Sequence, residues 1–218
     1  MMARRGDFRA VHEPFSYLAE FGTSIVDGSA ANTEQAMLAE LRGLAARGPV
    51  FVKDTTDERY PGVLADRQFL ASDATHTFII RHPRDTIASY QALNPGVALH
   101  QIGFEAQHEI FQAVRDATGK WPVVVDADDL VARPDEVIKA YCAETSIAYL
   151  PEALTWTPGA RPEWQPSERW HADARDSSGF TRQRKDYGVD VTAHPVLRGY
   201  LRHHLPFYEA LYAHRLTV

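Results

Sequence analysis

The sequence has little cysteine and no long apolar run. Its 218 residues include a single cysteine, Cys142, which excludes an internal disulfide and fits a reducing compartment. No run approaches the roughly 20 apolar residues that span a bilayer. The basic residues within positions 1–7 are not followed by the apolar stretch of a secretory signal. We therefore expect a cytoplasmic protein without membrane contact.

An excess of basic residues is also missing. Lys and Arg number 23 and Asp and Glu number 29, so the net charge is −6. Proteins that bind nucleic acid depend on a basic surface, so this class is not predicted. A few arginines in one cleft can still hold a small anion, and the basic residues are therefore interpreted by position.

The length and the apolar pattern predict one α/β domain over residues 1–218. Short apolar runs without polar alternation indicate buried strands, and helical patterns lie between them. The predicted strands are 8–11, 50–52, 77–80 and 123–125. The predicted helices are about 33–47, 57–70, 83–94, 99–117, a segment after Pro134, and 195–214. This alternation predicts an open, mostly parallel sheet flanked by helices. Residues 150–190, rich in tryptophan and proline, are predicted to form an irregular lid.

Each predicted strand runs into a charged cluster. Ligands of open α/β sheets bind beyond the carboxyl ends of the strands, so these clusters are candidates for the site. The alternative is that the charges cap helices. The clusters are His12-Glu13-Pro14, Lys53-Asp54, Arg81-His82-Pro83-Arg84-Asp85 and Asp126-Ala127-Asp128-Asp129.

The third cluster is the most specific. Arg81 follows a buried strand, and its planar guanidinium matches phosphate oxygens. Pro83 favours the first helical turn, where free backbone N–H groups attract anions. Ser89 lies further along the same helix and can donate a hydroxyl. The alternative pairs Arg81 with Asp85 and leaves Ser89 an ordinary helix residue.

The segment FIIRHPRDTIASY at residues 78–90 resembles the sulfotransferase signature, an apolar strand followed by Arg-x-Pro-Arg-Asp and then Ser. The resemblance implies that Arg81 and Ser89 bind the 3′-phosphate of 3′-phosphoadenylyl sulfate (PAPS), while Arg84 and Asp85 shape the loop. Residues 50–54, 128–142 and 170–180 are also similar to family segments, more weakly.

The same resemblance implies a P-loop-type three-layer α/β sandwich that transfers a sulfonate from PAPS to a hydroxyl or amine of a small molecule. It implies no metal, and the ten histidines lack ligand spacing. The sequence leaves a homodimer open and does not identify the acceptor.

Sulfonate transfer needs a base and positive charge. Some family members use a Glu before Pro, so the resemblance suggests Glu13 as the base, with His12 as its substitute and Asp54 or Asp57 as further alternatives. Lys53 would steady the sulfonate or the leaving group. The alternatives are that Glu13 binds backbone or neutralises an arginine, and that Lys53 pairs with Asp54 or Glu13. Arg182 lies in a basic run that would close over the nucleotide or simply face solvent.

Two phosphate loops are absent from the sequence. There is no Gly-x-x-x-x-Gly-Lys-Ser/Thr loop, which argues against a P-loop phosphotransferase. The family's Arg-Ser-x-Ser/Gly-Thr loop for the 5′-phosphosulfate is also missing. Residues 1–6 look like the last turn of a helix stopped by Gly6, which suggests a sequence that begins inside the family's first helix. If the chain starts at Met1, we expect negligible transfer, and the alternative is a non-catalytic module that binds a nucleotide or a partner.

Overall fold

The computed structural model describes residues 1–181 and 186–218. The chain forms two compact units. The first unit comprises Met1–Ala74 and Leu150–Gly179, and the second comprises Thr75–Tyr149 and Phe180–Val218.

Helices and short strands alternate along the chain. The strands are β1 (Arg9–His12), β2 (Ser24–Val26), β3 (Ser29–Ala31), β4 (Val50–Lys53), β5 (Thr77–Ile80) and β6 (Val123–Asp126). The α-helices are α1 (Met2–Arg5), α2 (Pro14–Phe21), α3 (Glu34–Ala45), α4 (Pro61–Ala65), α5 (Pro83–Leu93), α6 (Phe104–Thr118), α7 (Ala127–Ala132), α8 (Pro134–Glu144), α9 (Ala172–Asp176) and α10 (Pro195–Tyr212). Three 3-10 helices, Leu99–Ile102, Pro151–Leu154 and Pro162–Trp170, and a π-helical turn, Phe69–Asp73, complete the described elements.

The four predicted strands are all present, in parallel pairs. In the first unit β1 pairs with β4, and in the second unit β5 pairs with β6. The structure is therefore mixed α/β, with short parallel sheets flanked by helices. A single sheet and a three-layer sandwich remain predictions.

The first unit also contains elements that were not predicted from the sequence. Helix α2 follows β1, and β2 and β3 form an antiparallel hairpin. The expected helix over 57–70 is wrong. Helix α4 spans only Pro61–Ala65, and the next residue, Asp66, has a φ of −86° and a ψ of 85°, which are not helical. The Asp66 carboxylate accepts two hydrogen bonds from Arg42 at 2.9 Å. This contact comes from 24 residues away and is not visible in the local pattern.

Local signals fix two of the helix ends. The Thr33 hydroxyl accepts the N–H of Ala36 at 3.1 Å and caps α3, as an N-terminal threonine favours. Gly6 ends α1 with a φ of 79°, in the left-handed region where glycine has no Cβ penalty. Both ends are fixed by residues that are adjacent in sequence.

The core of the second unit lies under α10. Phe111 of α6 is fully buried, and its ring contacts Phe78 of β5 at 5.4 Å and Trp121 at 5.3 Å. Leu211 of α10 belongs to the same apolar cluster. These contacts fix α6 and α10 against β5, the strand that leads to Arg81.

Residues 150–179 of the first unit contain short helical turns and one isolated bridge, between Thr155 and Gly179. This agrees with the irregular structure expected there, while a lid function stays a prediction. Among the residues described, no helix is long and apolar enough to cross a membrane.

Candidate functional site

The parallel register of β1 and β4 brings two predicted site residues together in the first unit. His12 is the partner of Lys53 in this register, so the next residue, Glu13, leaves the sheet beside Lys53. The N–H of Glu13 donates to the carbonyl of Lys53 at 2.6 Å. The two carboxyl ends therefore lie side by side, as expected for parallel neighbours.

Glu13 has an unusual backbone conformation. Its φ of 47° and ψ of 45° are left-handed, and it occupies the position before α2, whose first residue is Pro14. A residue other than glycine pays roughly 1–2 kcal/mol for this conformation, and such residues concentrate at functional sites. Neighbouring side chains of an extended strand point to opposite faces. The left-handed turn instead lets His12 and Glu13 converge, with His12 Nε2 and Glu13 Oε2 3.6 Å apart.

The Glu13 carboxylate is buried and paired. Its residue is 6% exposed. The Lys53 ammonium donates to Oε1, and the Ser167 hydroxyl donates to Oε2 at 3.4 Å. Burial favours the protonated form, but the charge and hydrogen bond of Lys53 outweigh it and hold the pKa of Glu13 below its ordinary value. Glu13 is therefore an ionised carboxylate at neutral pH. The structure thus contains the Lys53–Glu13 ion pair considered as an alternative, and the catalytic roles of both residues stay predictions.

Two imidazoles meet beside this carboxylate. The Nε2 atoms of His12 and His171 are 3.2 Å apart, and the Ser167 hydroxyl lies 3.0 Å from His171 Nε2. Burial lowers the pKa of His12 to about 4 and also lowers the pKa of His171. Both rings are therefore neutral at pH 7, and a hydrogen bond between them requires that one Nε2 carries its proton and the other Nε2 accepts it.

Asp54 holds the start of α2 in place. Its carboxylate accepts the N–H groups of Phe15 at 2.8 Å, Ser16 at 3.1 Å and Thr55 at 2.9 Å. Burial raises the pKa of Asp54 to about 7, against the effect of these backbone donors. The side chain of Asp54 thus ties β4 to the first turn of α2 and supports the turn at Glu13.

A cavity of about 290 Å³ adjoins His171 in the first unit. The indole of Trp164 stacks on the His171 ring with centroids 4.9 Å apart. The volume is close to the lower end of small-molecule sites. The cavity is lined by Ala160, Arg161, Pro162, Trp164, Gln165, Glu168, His171 and Arg175.

Arg81 and Ser89 belong to the second unit, where Arg81 follows β5 and Ser89 lies within α5. His82 caps the helix: its Nδ1 accepts the N–H of Arg84 at 3.2 Å, and its carbonyl accepts the N–H of Asp85 at 3.0 Å. Pro83 has no N–H. The expectation that free N–H groups of this first turn attract an anion is therefore wrong, because the cap occupies them.

The polar groups of Arg81 and Ser89, unlike the helix N–H groups, are available to bind a ligand. Within residues 1–181 and 186–218, the Arg81 guanidinium makes no ion pair or hydrogen bond, and neither does the Ser89 hydroxyl. The alternative pair between Arg81 and Asp85 does not form in that part of the chain. Both residues are partly exposed, so they can donate to a ligand from solvent.

The remaining predicted residue, Arg182, lies outside the described residues. The structure also adds participants that were not assigned from the sequence: His171, Ser167 and Tyr17, whose hydroxyl lies 2.8 Å from Ser167 Oγ. His171 lies in the segment 170–180, whose similarity to the family assigns it no role. No local pattern relates His171 to His12, because 159 residues separate them.

Comparison with known proteins identifies the family. The model of the sulfotransferase domain matches residues 1–215. The chain is also similar to two Arabidopsis thaliana proteins, branched-chain-amino-acid aminotransferase-like proteins 1 and 2. It is 25% identical to the first over 223 residues, 97% of this chain and 38% of the relative. It is 26% identical to the second over 167 residues, 75% of this chain and 28% of the relative.

The chain thus spans less than two-fifths of the length of these curated relatives. No solved structure is similar enough to count as a match. The family match covers nearly the whole chain and agrees with the signature at residues 78–90. The chain belongs to the sulfotransferase domain family.

Proposed function

We propose that this protein transfers a sulfonate group from PAPS to a hydroxyl or amine of a small-molecule acceptor. The observation that carries the proposal is the state of Arg81 and Ser89. Both lie in the segment with the family signature, and neither polar group has a partner within the described part of the chain. A guanidinium and a hydroxyl without partners among the described residues are available to bind a ligand.

Arg81 and Ser89 would bind the 3′-phosphate of the nucleotide. A guanidinium can give two parallel hydrogen bonds to a phosphate, and a hydroxyl can add a third. Since His82 closes the first turn of α5, recognition would depend on these side chains rather than on helix amides. It should then be specific for nucleotides that carry a 3′-phosphate.

Glu13 would take the proton of the acceptor, and Lys53 would supply positive charge. The acceptor oxygen or nitrogen forms a bond to sulfur while the bond from sulfur to the phosphate oxygen breaks. Glu13 receives the acceptor proton, and adenosine 3′,5′-bisphosphate leaves. The low pKa of Glu13 keeps the carboxylate ionised and ready to accept at neutral pH. An ammonium near the reacting groups stabilises the developing negative charge.

The test measures nucleotide binding and transfer separately. Isothermal titration should show tighter binding of adenosine 3′,5′-bisphosphate than of adenosine 5′-monophosphate. Incubation with PAPS and a panel of phenols, alcohols and amines should give a sulfonated product, detected by mass spectrometry. Equal affinity for the two nucleotides would contradict the proposed donor. Selective binding without transfer across the panel would instead support a non-catalytic nucleotide-binding module.

A further inference from the structure

We propose that His12, Glu13 and His171 form a binding site for a divalent transition-metal ion of the zinc class. The three side chains belong to the first unit and present one ligand atom each. These atoms all lie within 4.8 Å of one another. The inference does not depend on the proposed function, because metal binding is measured without donor or acceptor.

The distances between the ligand atoms suit a small tetrahedral ion. With zinc–nitrogen bonds of about 2.0–2.1 Å, tetrahedral geometry sets ligand atoms roughly 3.3 Å apart. His12 Nε2 is 3.2 Å from His171 Nε2 and 3.6 Å from Glu13 Oε2. The third pair, the ligand atoms of His171 and Glu13, lies within 4.8 Å, so the Glu13 side chain would have to move toward His171 if this separation exceeds the tetrahedral value.

The ligand types identify the class of metal. Two imidazoles and one carboxylate are the protein ligands of several catalytic zinc sites, in which water fills the fourth position. Imidazole nitrogen favours zinc, copper and nickel, whereas magnesium and calcium prefer oxygen. The Ser167 hydroxyl, 3.0 Å from His171 Nε2, would lie beside the fourth position.

The surroundings support the ligands. Lys53 donates to Oε1 of Glu13, and Oε2, which also accepts the Ser167 hydroxyl at 3.4 Å, lies 3.6 Å from His12 Nε2. Ligating carboxylates are commonly fixed by such a hydrogen bond. The left-handed conformation of Glu13 makes the side chains of adjacent residues converge, which an extended strand would not allow. The cavity of about 290 Å³ is lined by His171 and so leaves space beside this ligand.

Metal binding and proton acceptance would compete at Glu13. A metal ion on Oε2 would hold the carboxylate that we propose as the base. Zinc at saturating concentration should therefore suppress transfer while nucleotide binding in the second unit continues. If zinc fails to bind, the metal site is refuted and the proposed sulfonate transfer is unaffected.

The experiment titrates the full chain with zinc chloride by calorimetry in a buffer that does not chelate metal. We expect one saturable site per chain. His12→Ala, His171→Ala and Glu13→Gln should each weaken binding by at least about tenfold, the smallest loss usual for disturbed metal sites. The matched control is His203→Ala. Its Nε2 lies 3.1 Å from a Glu105 carboxylate oxygen in the second unit, and its loss should leave affinity unchanged.

Cobalt provides a measurement that does not rely on the variants. Co²⁺ added to the unsubstituted chain should give the intense visible absorption of a four-coordinate ion, and X-ray absorption should show imidazole nitrogen in its shell. A six-coordinate shell of oxygen alone would overturn the proposal. So would zinc affinity that is unchanged in a folded His171→Ala chain, or in His171→Asn if the alanine variant does not fold.

Discussion

Replacing Arg81 with alanine should weaken binding of adenosine 3′,5′-bisphosphate and leave binding of adenosine 5′-monophosphate almost unchanged. The two nucleotides differ only in the 3′-phosphate. The substitution removes the guanidinium that follows β5, while β5 itself is held by its pairing with β6. The difference between the two ligands therefore isolates the contact between Arg81 and this phosphate.

The expected magnitude follows from the surroundings of Arg81. A hydrogen bond to a charged group contributes about 1.5–3 kcal/mol, and each 1.4 kcal/mol is tenfold in affinity. Loss of one such contact should therefore weaken binding by roughly 10- to 150-fold. Within the described residues no partner of the guanidinium would be left unpaired. The free energy of unfolding should change by less than about 0.5 kcal/mol, as for most surface substitutions.

The assay is calorimetry of both nucleotides with the unsubstituted chain, Arg81→Ala and the control Arg84→Ala, at one fixed low salt concentration, because screening weakens charged contacts. Arg84 is an exposed arginine three residues along the chain. Arg84→Ala removes the same charge but not the proposed contact with the 3′-phosphate. It should therefore weaken binding of the two nucleotides equally and only slightly. Urea denaturation of all three proteins measures stability.

Two results would refute the reasoning. If Arg81→Ala weakened the binding of both nucleotides equally, Arg81 would not recognise the 3′-phosphate. If the variant lost several kcal/mol of stability, Arg81 would be a structural residue, and the change in affinity would have another cause.

Three further predictions concern the other residues. Glu13→Gln should lower turnover by at least about a hundredfold, because an amide cannot accept the proton. Nucleotide binding should be retained, and unchanged turnover would exclude Glu13 as the base. Phe111→Ala removes a fully buried ring and should lower the free energy of unfolding by about 3–5 kcal/mol, measured by urea denaturation. The control Ile79→Ala, at a residue that is 56% exposed, should lower it far less. Equal losses in the two variants would contradict the packing of Phe111. Burial raises the pKa of Asp126 above its ordinary 3.8, so the folded state holds this proton more tightly than the unfolded chain does. The resulting stability is full below pH 3.8 and is lost as pH rises through the folded pKa. Urea denaturation at several pH values should show that the free energy of unfolding falls less with rising pH in Asp126→Asn than in the unsubstituted chain. The same dependence on pH in both proteins would disprove the pKa shift.

Much of the secondary structure could be predicted because its signals are local. The apolar run at 77–80 gave β5 with the correct bounds, and Pro83 marked the start of α5. The helix expected over 57–70 failed, since a distant arginine binds Asp66 and the chain turns there. Local propensity cannot anticipate a contact of this kind.

The candidate site divides in the same way. Arg81 and Ser89 could be proposed from the sequence, because the strand, the turn and the helix that carry them are contiguous. The cap by His82 was not anticipated, although His82 lies in the same segment, because it depends on the rotamer of one side chain.

The sequence by itself determined the family signature, the strand that leads into Arg81 and the candidate residues Glu13 and Lys53. Tertiary structure alone decided which partners these residues have. The register of β1 and β4 places Lys53 beside Glu13, and packing brings His171 to His12 from 159 residues away. Helix and strand signals act over a few neighbouring residues, whereas such contacts depend on how the whole unit packs.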